Sequence, residues 1–154
     1  MSIPHAPAAF DTALVDVEQQ LAVFWRRGRA ASVGLSRGLH PDLDPAAYGL
    51  LTILHRDGAR RVTDLAASVG VGKPTVSRQI ALLEELGLVA KEADPSDGRA
   101  QQVTLTGEGE RQVAELKRRR HEFFAERLAS WDPRELTELA EYLRRMNDAL
   151  APHH

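Results

Sequence analysis

Cysteine is absent from all 154 residues, which removes disulfides, thiolate metal sites, cysteine nucleophiles and thiol-based redox sensing together. Long apolar runs are missing too. No stretch approaches the ~18 uninterrupted apolar residues of a membrane span. Met1 to Phe10 lacks a basic region followed by an apolar run, so the expected location is the cytoplasm, with no membrane partner. Signatures of catalysis are also lacking: there is no phosphate loop, no nucleophile elbow and no paired carboxylate in a strand context, so no catalytic residue is assigned. The six histidines supply no pair at helical i,i+4 spacing, since His40, His55 and His121 are isolated and His153-His154 is a terminal pair. No metal site and no cofactor are therefore expected. An excess of positive charge is missing as well. Twenty Lys and Arg against 22 Asp and Glu give a formal charge of -2, whereas nucleic-acid binding favours cations that displace counterions from phosphates. The overall balance does not decide that question, which depends on the charge of one presented face.

What remains is a chain with 43% hydrophobic residues, enough to bury one core, and a single domain over 1–154 is expected. The first ten residues read as an arm without periodicity. From there Phe10, Leu14, Val17, Leu21 and Phe24 alternate in steps of four and three, the spacing of one helical stripe, with Trp25 broadening it and the helix ending near Gly38. That stripe is equally consistent with core and with a helix-pairing surface. Asp44-Pro45 is an N-cap followed by proline at the first helical position, and the helix it opens carries Leu50, Leu51, Ile53 and Leu54 before stopping at Gly58. Thr63 is expected to cap a short helix through Ser68, with Leu65 and Ala66 inward and Gly70 as the break. A further helix follows Gly72-Lys73-Pro74 and stops at Gly87. Leu88 to Ala93 and Gln102 to Thr106 are strand candidates, and Asp94-Pro95-Ser96-Asp97-Gly98-Arg99 between them is turn chemistry, so the pair reads as a hairpin. A long helix runs from Gly107. The last opens at Asp132-Pro133 with Glu135 three residues after the cap, and its Leu136, Leu139, Leu143, Met146 and Leu150 form a helix-pairing seam.

Helix, short helix, glycine turn, second helix and hairpin in that order are the plan of a winged helix-turn-helix, mainly α with a small β-wing. At roughly 100° per residue, Val76, Ile80 and Leu83 share one side of the second helix. Pro74, Arg78 and Ala81 fall on the opposite side, flanked by Thr75 and Ser77, with Gln79 nearer the edge. Lys73 and Arg78 are the charges on this helix before Glu84, so the outward face is locally basic. An arginine there can pair bidentately with guanine in a major groove, hydroxyls can hold phosphates, and small residues let the backbone approach closely. Gly72, Lys73, Pro74, Thr75, Ser77, Arg78 and Gln79 are accordingly the candidate DNA contacts, with Thr63 on the bracing helix added to them.

The phrases DLAASVGVGKPTVSRQIALLEELGLV and DPSDGRAQQVTLTGEG, with the leucine-rich helix before them, resemble the core of MarR-family transcriptional regulators over Leu43 to Gly109. The resemblance implies a lobe of about residues 43–106 that binds double-stranded DNA, with Gly72 to Leu86 as recognition helix and Arg99 as the wing-tip arginine entering the minor groove, oriented by Asp97. It also implies a homodimer formed through flanking helices over 10–40 and 107–150. Phe10, Leu14, Val17, Leu21, Leu136, Leu139, Leu143, Met146 and Leu150 would supply the apolar surface of that interface. A repressor of a neighbouring operon follows, released from a pseudo-palindromic operator by a small aromatic or anionic effector. Trp25, Arg29 and His55 are the ligand candidates, although packing for the tryptophan and a surface or capping role for the histidine are the simpler readings. Two positions depart from the family pattern: Gly72 stands where many relatives have serine, and Gly98 where many have a second basic residue. Competing functions are a winged-helix module that binds another protein and a metal-responsive regulator.

Overall fold

The computed structural model describes residues 8–43 and 45–151. Six helices and one hairpin follow in order: α1 (Ala8–Arg37), α2 (Pro45–Asp57), α3 (Val62–Val69), α4 (Lys73–Glu85), β1 (Val89–Asp94), β2 (Asp97–Leu105), α5 (Gly107–Arg127) and α6 (Pro133–Ala149). They fall into two compact units, Met1–Lys117 and Arg118–His154, with the boundary inside α5.

In the first unit, α2, α3, α4 and the hairpin share one apolar core. Tyr48, Leu50 and Leu51 of α2, Leu65 of α3, and Val76, Ile80 and Leu83 of α4 are all at most 2% exposed. Each large aliphatic side chain buried this way contributes about 1.5–3 kcal/mol. The stripe at Val76, Ile80 and Leu83 therefore fixes the roll of α4 about its own axis. Gly70 ends α3 in the left-handed region (φ 67°), and its N–H bonds the Ala66 carbonyl, a termination that glycine makes without a Cβ penalty.

Several boundaries differ from those the sequence predicts. Asp44, the expected cap of α2, lies outside the described residues. Thr63 does not cap α3. Arg61 takes that position in extended conformation (φ -69°, ψ 152°), and its carbonyl accepts the N–H groups of Asp64 and Leu65. The cause is one residue upstream: Arg60 exchanges both backbone hydrogen bonds with Val103 of β2 (3.0 and 2.7 Å). That exchange pins the chain as extended up to the first helical residue. β2 also begins five residues earlier than expected, at Asp97. The ladder is regular from Val89↔Leu105 to Ala93↔Gln101, then shifts so that Asp94 meets Asp97. Residues 97–99 and 101 are exposed, so this stretch shows no apolar alternation to reveal it as a strand.

Thr106 joins three elements. Its hydroxyl donates to the Gly87 carbonyl (2.6 Å) and accepts the Gly109 N–H (3.1 Å), while its own N–H bonds the Leu88 carbonyl (3.1 Å). Gly109 is buried at that crossing, where a Cβ would stand 2.1 Å from the Leu88 oxygen and 3.0 Å from a Leu105 methyl. Only glycine fits so close to another backbone.

In the second unit, α6 opens on the expected capping box. The Asp132 carboxylate accepts the Arg134 N–H (2.8 Å) and Glu135 accepts the Asp132 N–H (2.8 Å). Phe123 and Phe124 pack edge to face at 5.4 Å between centroids, and the Arg127 guanidinium lies 3.5 Å over the Phe123 ring, a favourable cation–π placement.

Replacing Gly109 with alanine forces the start of α5 away from Leu88, and a destabilisation on the order of 3 kcal/mol is expected. Thermal unfolding followed by circular dichroism measures it. A melting temperature within about 1 °C of the parent would contradict the crowding at this site.

Candidate nucleic-acid interface

The face of α4 follows from its burial. With Val76, Ile80 and Leu83 fully inward, Lys73, Pro74, Ser77, Arg78 and Ala81 are exposed and Thr75 and Gln79 half-buried. Thr75, Arg78, Gln79, Ala81, Leu82 and Glu85 line an open groove along this face. Gly72 caps the helix with extended backbone (φ -64°, ψ 145°) and no side-chain hydrogen bond, so no hydroxyl or carboxylate of the cap occupies the positive end of the helix dipole. Among the described residues no carboxylate pairs with Lys73 or Arg78. The acidic residues of α4, Glu84 and Glu85, sit in its last turn. The basic character is therefore concentrated at the N-terminal half of the exposed face.

The hairpin is held by a cluster that the sequence does not announce. Asp94, with a side chain only 12% exposed, receives the Arg61 Nε (2.7 Å) on one carboxylate oxygen. Its other oxygen accepts both the N–H and the hydroxyl of Ser96 (2.8 and 2.7 Å). These donors, the Ser96 hydroxyl foremost, hold the Asp94 carboxyl well below the usual carboxylate range. Arg61 is stabilised in its charged form mainly by the hydrogen bond and charge of Asp94, with smaller contributions from Asp97 and Asp64. Asp97 meets Arg99 through the main chain. Its carboxylate accepts the Arg99 backbone N–H (3.1 Å), closing a local turn. Among the described residues the Arg99 guanidinium has no ion-pair partner, and its side chain is exposed at the hairpin tip.

The ligand candidates do not converge. Trp25, expected to pack, is 61% exposed, because no other element of its unit covers that part of α1. Arg29 lies one turn further along the same helix and is also exposed. His55 sits near the end of α2 and bonds Glu110 of α5 through Nδ1 (2.7 Å), an interhelical tie rather than a cap. A cavity of about 310 Å³ at the α1–α2 corner is lined by Val33, Arg37, Pro41, Asp42, Leu43 and Pro45, and by none of the three. Among the described residues no group of three or more His, Asp or Glu side chains is placed to hold a metal, and no helix is long and apolar enough to cross a membrane.

Of the pairing-seam residues, Phe10, Leu14 and Val17 on α1, Leu136, Leu139 and Leu143 on α6, and Leu150 at its C-cap are 36–68% exposed. Leu21 and Met146 are half-buried. The α1 stripe is therefore no core of the single chain. Arg61–Asp94, Thr106 and His55–Glu110 went unread in the sequence because each joins residues 19 to 55 positions apart, and single polar residues at such separations carry no periodic signal.

Comparison with known proteins places this arrangement in a group. The sequence pattern described as "MarR family" matches residues 42–100. The chain is similar to the HTH-type transcriptional regulator YxaD of Bacillus subtilis (strain 168), with 35% identity over 133 residues, covering 86% of this chain and 92% of the relative. Its similarity to the transcriptional regulator HosA of Escherichia coli O111:H- is more local, 37% identity over 75 residues, covering 48% of this chain and 55% of HosA. Its fold is similar to that of a MarR family protein from Bacillus stearothermophilus, with a TM-score of 0.83 at 20% identity, covering 91% and 96% of the two chains.

Acid should undo the Asp94 cluster. A carboxyl depressed on folding contributes stability above the unfolded pKa of about 4, and loses it as pH falls through the folded value. Protection of the Ser96 amide, whose N–H Asp94 accepts, against hydrogen exchange should therefore hold from neutral pH to about pH 5 and fall only below about pH 4. Asp94→Asn should remove that acid-dependent loss. An unchanged profile in the variant would refute the assignment.

Proposed function

The chain belongs to the MarR family of transcriptional regulators, and from that premise we propose that it binds double-stranded DNA as a homodimer, with α4 in the major groove and the hairpin as a wing in the minor groove. The observation that carries this reading is the exposed face of α4. Lys73 and Arg78 stand there without carboxylate partners among the described residues, beside hydroxyls and small side chains and opposite a fully buried apolar stripe. Arg78 reads base edges, preferably guanine O6 and N7. Lys73, Thr75, Ser77 and the uncapped helix start hold phosphates, and Gln79 reaches the groove edge. Thr63, exposed in the first turn of α3, adds a backbone contact. Arg99 enters the minor groove, where a narrow width concentrates negative potential. Gly98 leaves the tip with one guanidinium instead of two basic residues.

Dimerisation pairs α1 and α6 with their counterparts, covering the apolar side chains exposed in the single chain, and gives two recognition helices spaced about one helical turn of DNA apart. The protein acts as a repressor of a nearby operon. It lets go when a small aromatic or anionic effector favours the arrangement that cannot bind DNA, which requires unequal affinity for the two states. The α1–α2 corner cavity, with Arg37 on its wall, is a better place for such an effector than Trp25, Arg29 or His55.

Fluorescence anisotropy with a duplex from the protein's own promoter region tests the DNA reading. A salt-dependent preference over random duplex is expected. Arg99→Ala should weaken binding and lower the salt slope by roughly one, whereas Arg78→Ala should cost on the order of 1–3 kcal/mol and relax sequence preference. No preference over random DNA would end the proposal. The dimer is tested separately. Leu139→Glu with Leu143→Glu should give a monomer in sedimentation velocity and at least tenfold weaker operator binding, since the two half-sites would no longer be linked.

A further inference from the structure

Arg61 lies outside the recognition helix and outside the hairpin, yet its side chain ties the helix that braces α4 to the hairpin. It occupies the N-cap of α3, the helix that braces α4, and reaches Asp94 at the end of β1. Asp94 in turn holds the Ser96 N–H and hydroxyl, closing the tip from which Arg99 projects. The preceding residue, Arg60, is tied by its backbone to Val103 in the body of the hairpin. The body of the wing is thus tied to the segment before α3 by main-chain pairing, and its outer end to that segment by one ion pair.

A hairpin of two strands is marginal without outside support, and the ladder slips between Ala93 and Asp94, just where the ion pair acts. Beyond that point the tip residues 95–99 are exposed and have no apolar packing to orient them. We infer that Arg61 is the positioning residue of the wing: by clamping Asp94 it sets the direction in which Arg99 is presented relative to α4, so that both reach one DNA duplex at once. This rests on the DNA-binding reading above. It adds that the contribution of Arg99 depends on a residue that itself touches no nucleic acid.

The charge environment fits that role. Arg61 pairs directly with Asp94, and Asp97 and Asp64 add weaker attraction at longer range, so part of its charge is met within the protein. It is also not interchangeable with lysine, because the bond to Asp94 uses Nε while the terminal nitrogens of the same planar group remain for the neighbouring acids.

A double-mutant cycle between Arg61 and Arg99, read on the full-length protein, tests the inference. Arg61→Ala should reduce operator affinity roughly tenfold, and Arg99→Ala made in that background should cost much less than in the parent, because contacts coupled through one element are not additive. Arg61→Lys should recover only part of the loss. Additive effects of the two substitutions in a parent protein that does bind DNA would overturn the inference and leave the DNA reading intact. A second measurement needs no DNA. Amide exchange at Ser96 and Arg99 should accelerate several-fold in Arg61→Ala while exchange in α4 stays as in the parent. Unchanged exchange at the tip would overturn the clamp whether or not DNA binds. If the parent itself shows no preference for its promoter DNA while the tip exchange does accelerate, the DNA reading fails and the inferred role in presenting Arg99 to a duplex fails with it.

Discussion

The lobe depends on the meeting of chain segments at Thr106. One hydroxyl serves as donor to the exit of α4 and as acceptor for the start of α5, and the same residue's amide bonds Leu88 as the hairpin begins. With the hydroxyl bonded on both sides and the amide on a third, the three segments are constrained to arrive together. Gly109 completes the constraint by removing the only atom that would hold α5 off. Where α4 ends and where the hairpin leaves are thus set at a single place.

From that junction two different kinds of force divide the work. Nonpolar burial aims α4, since Val76, Ile80 and Leu83 cannot leave the core without losing several kcal/mol together. It cannot aim the hairpin tip, which has almost nothing apolar to bury, and there the structure uses charge and hydrogen bonds instead. The result is a surface whose net charge says little about its local field. The -2 total coexists with a basic helix start, because the acids nearest to it are placed elsewhere: Asp94 is paired with Arg61, and Glu84 and Glu85 lie at the far end of α4.

This division also explains what could be read from the sequence. Everything that burial aims was legible: the helix order, the inward stripe of α4, the capping box at Asp132 and the glycine break at Gly70 all have short-range signatures. The wing was legible as a hairpin through its turn residues, but its outer half was not, because polar strand residues 97–101 look like loop. Thr63 misled as a cap since threonine is a good one, and only the long-range pairing of Arg60 with Val103 shows that the chain is still extended at Arg61. For the same reason the partners of Asp94, Thr106 and His55 had to await the fold. The family pattern covers 42–100, and the similarity to YxaD extends over 86% of the chain.

Those flanking helices carry the apolar stripes that the single chain leaves open to water. In the dimer proposed above, such a surface would make folding and association parts of one equilibrium, so that stability becomes a function of how much protein is present. Dilution then acts as a variable in its own right. At low copy number the chain would be both less paired and more readily unfolded, and its occupancy of any two-fold target would fall with the square of the monomer concentration, a steeper response than any single site could give.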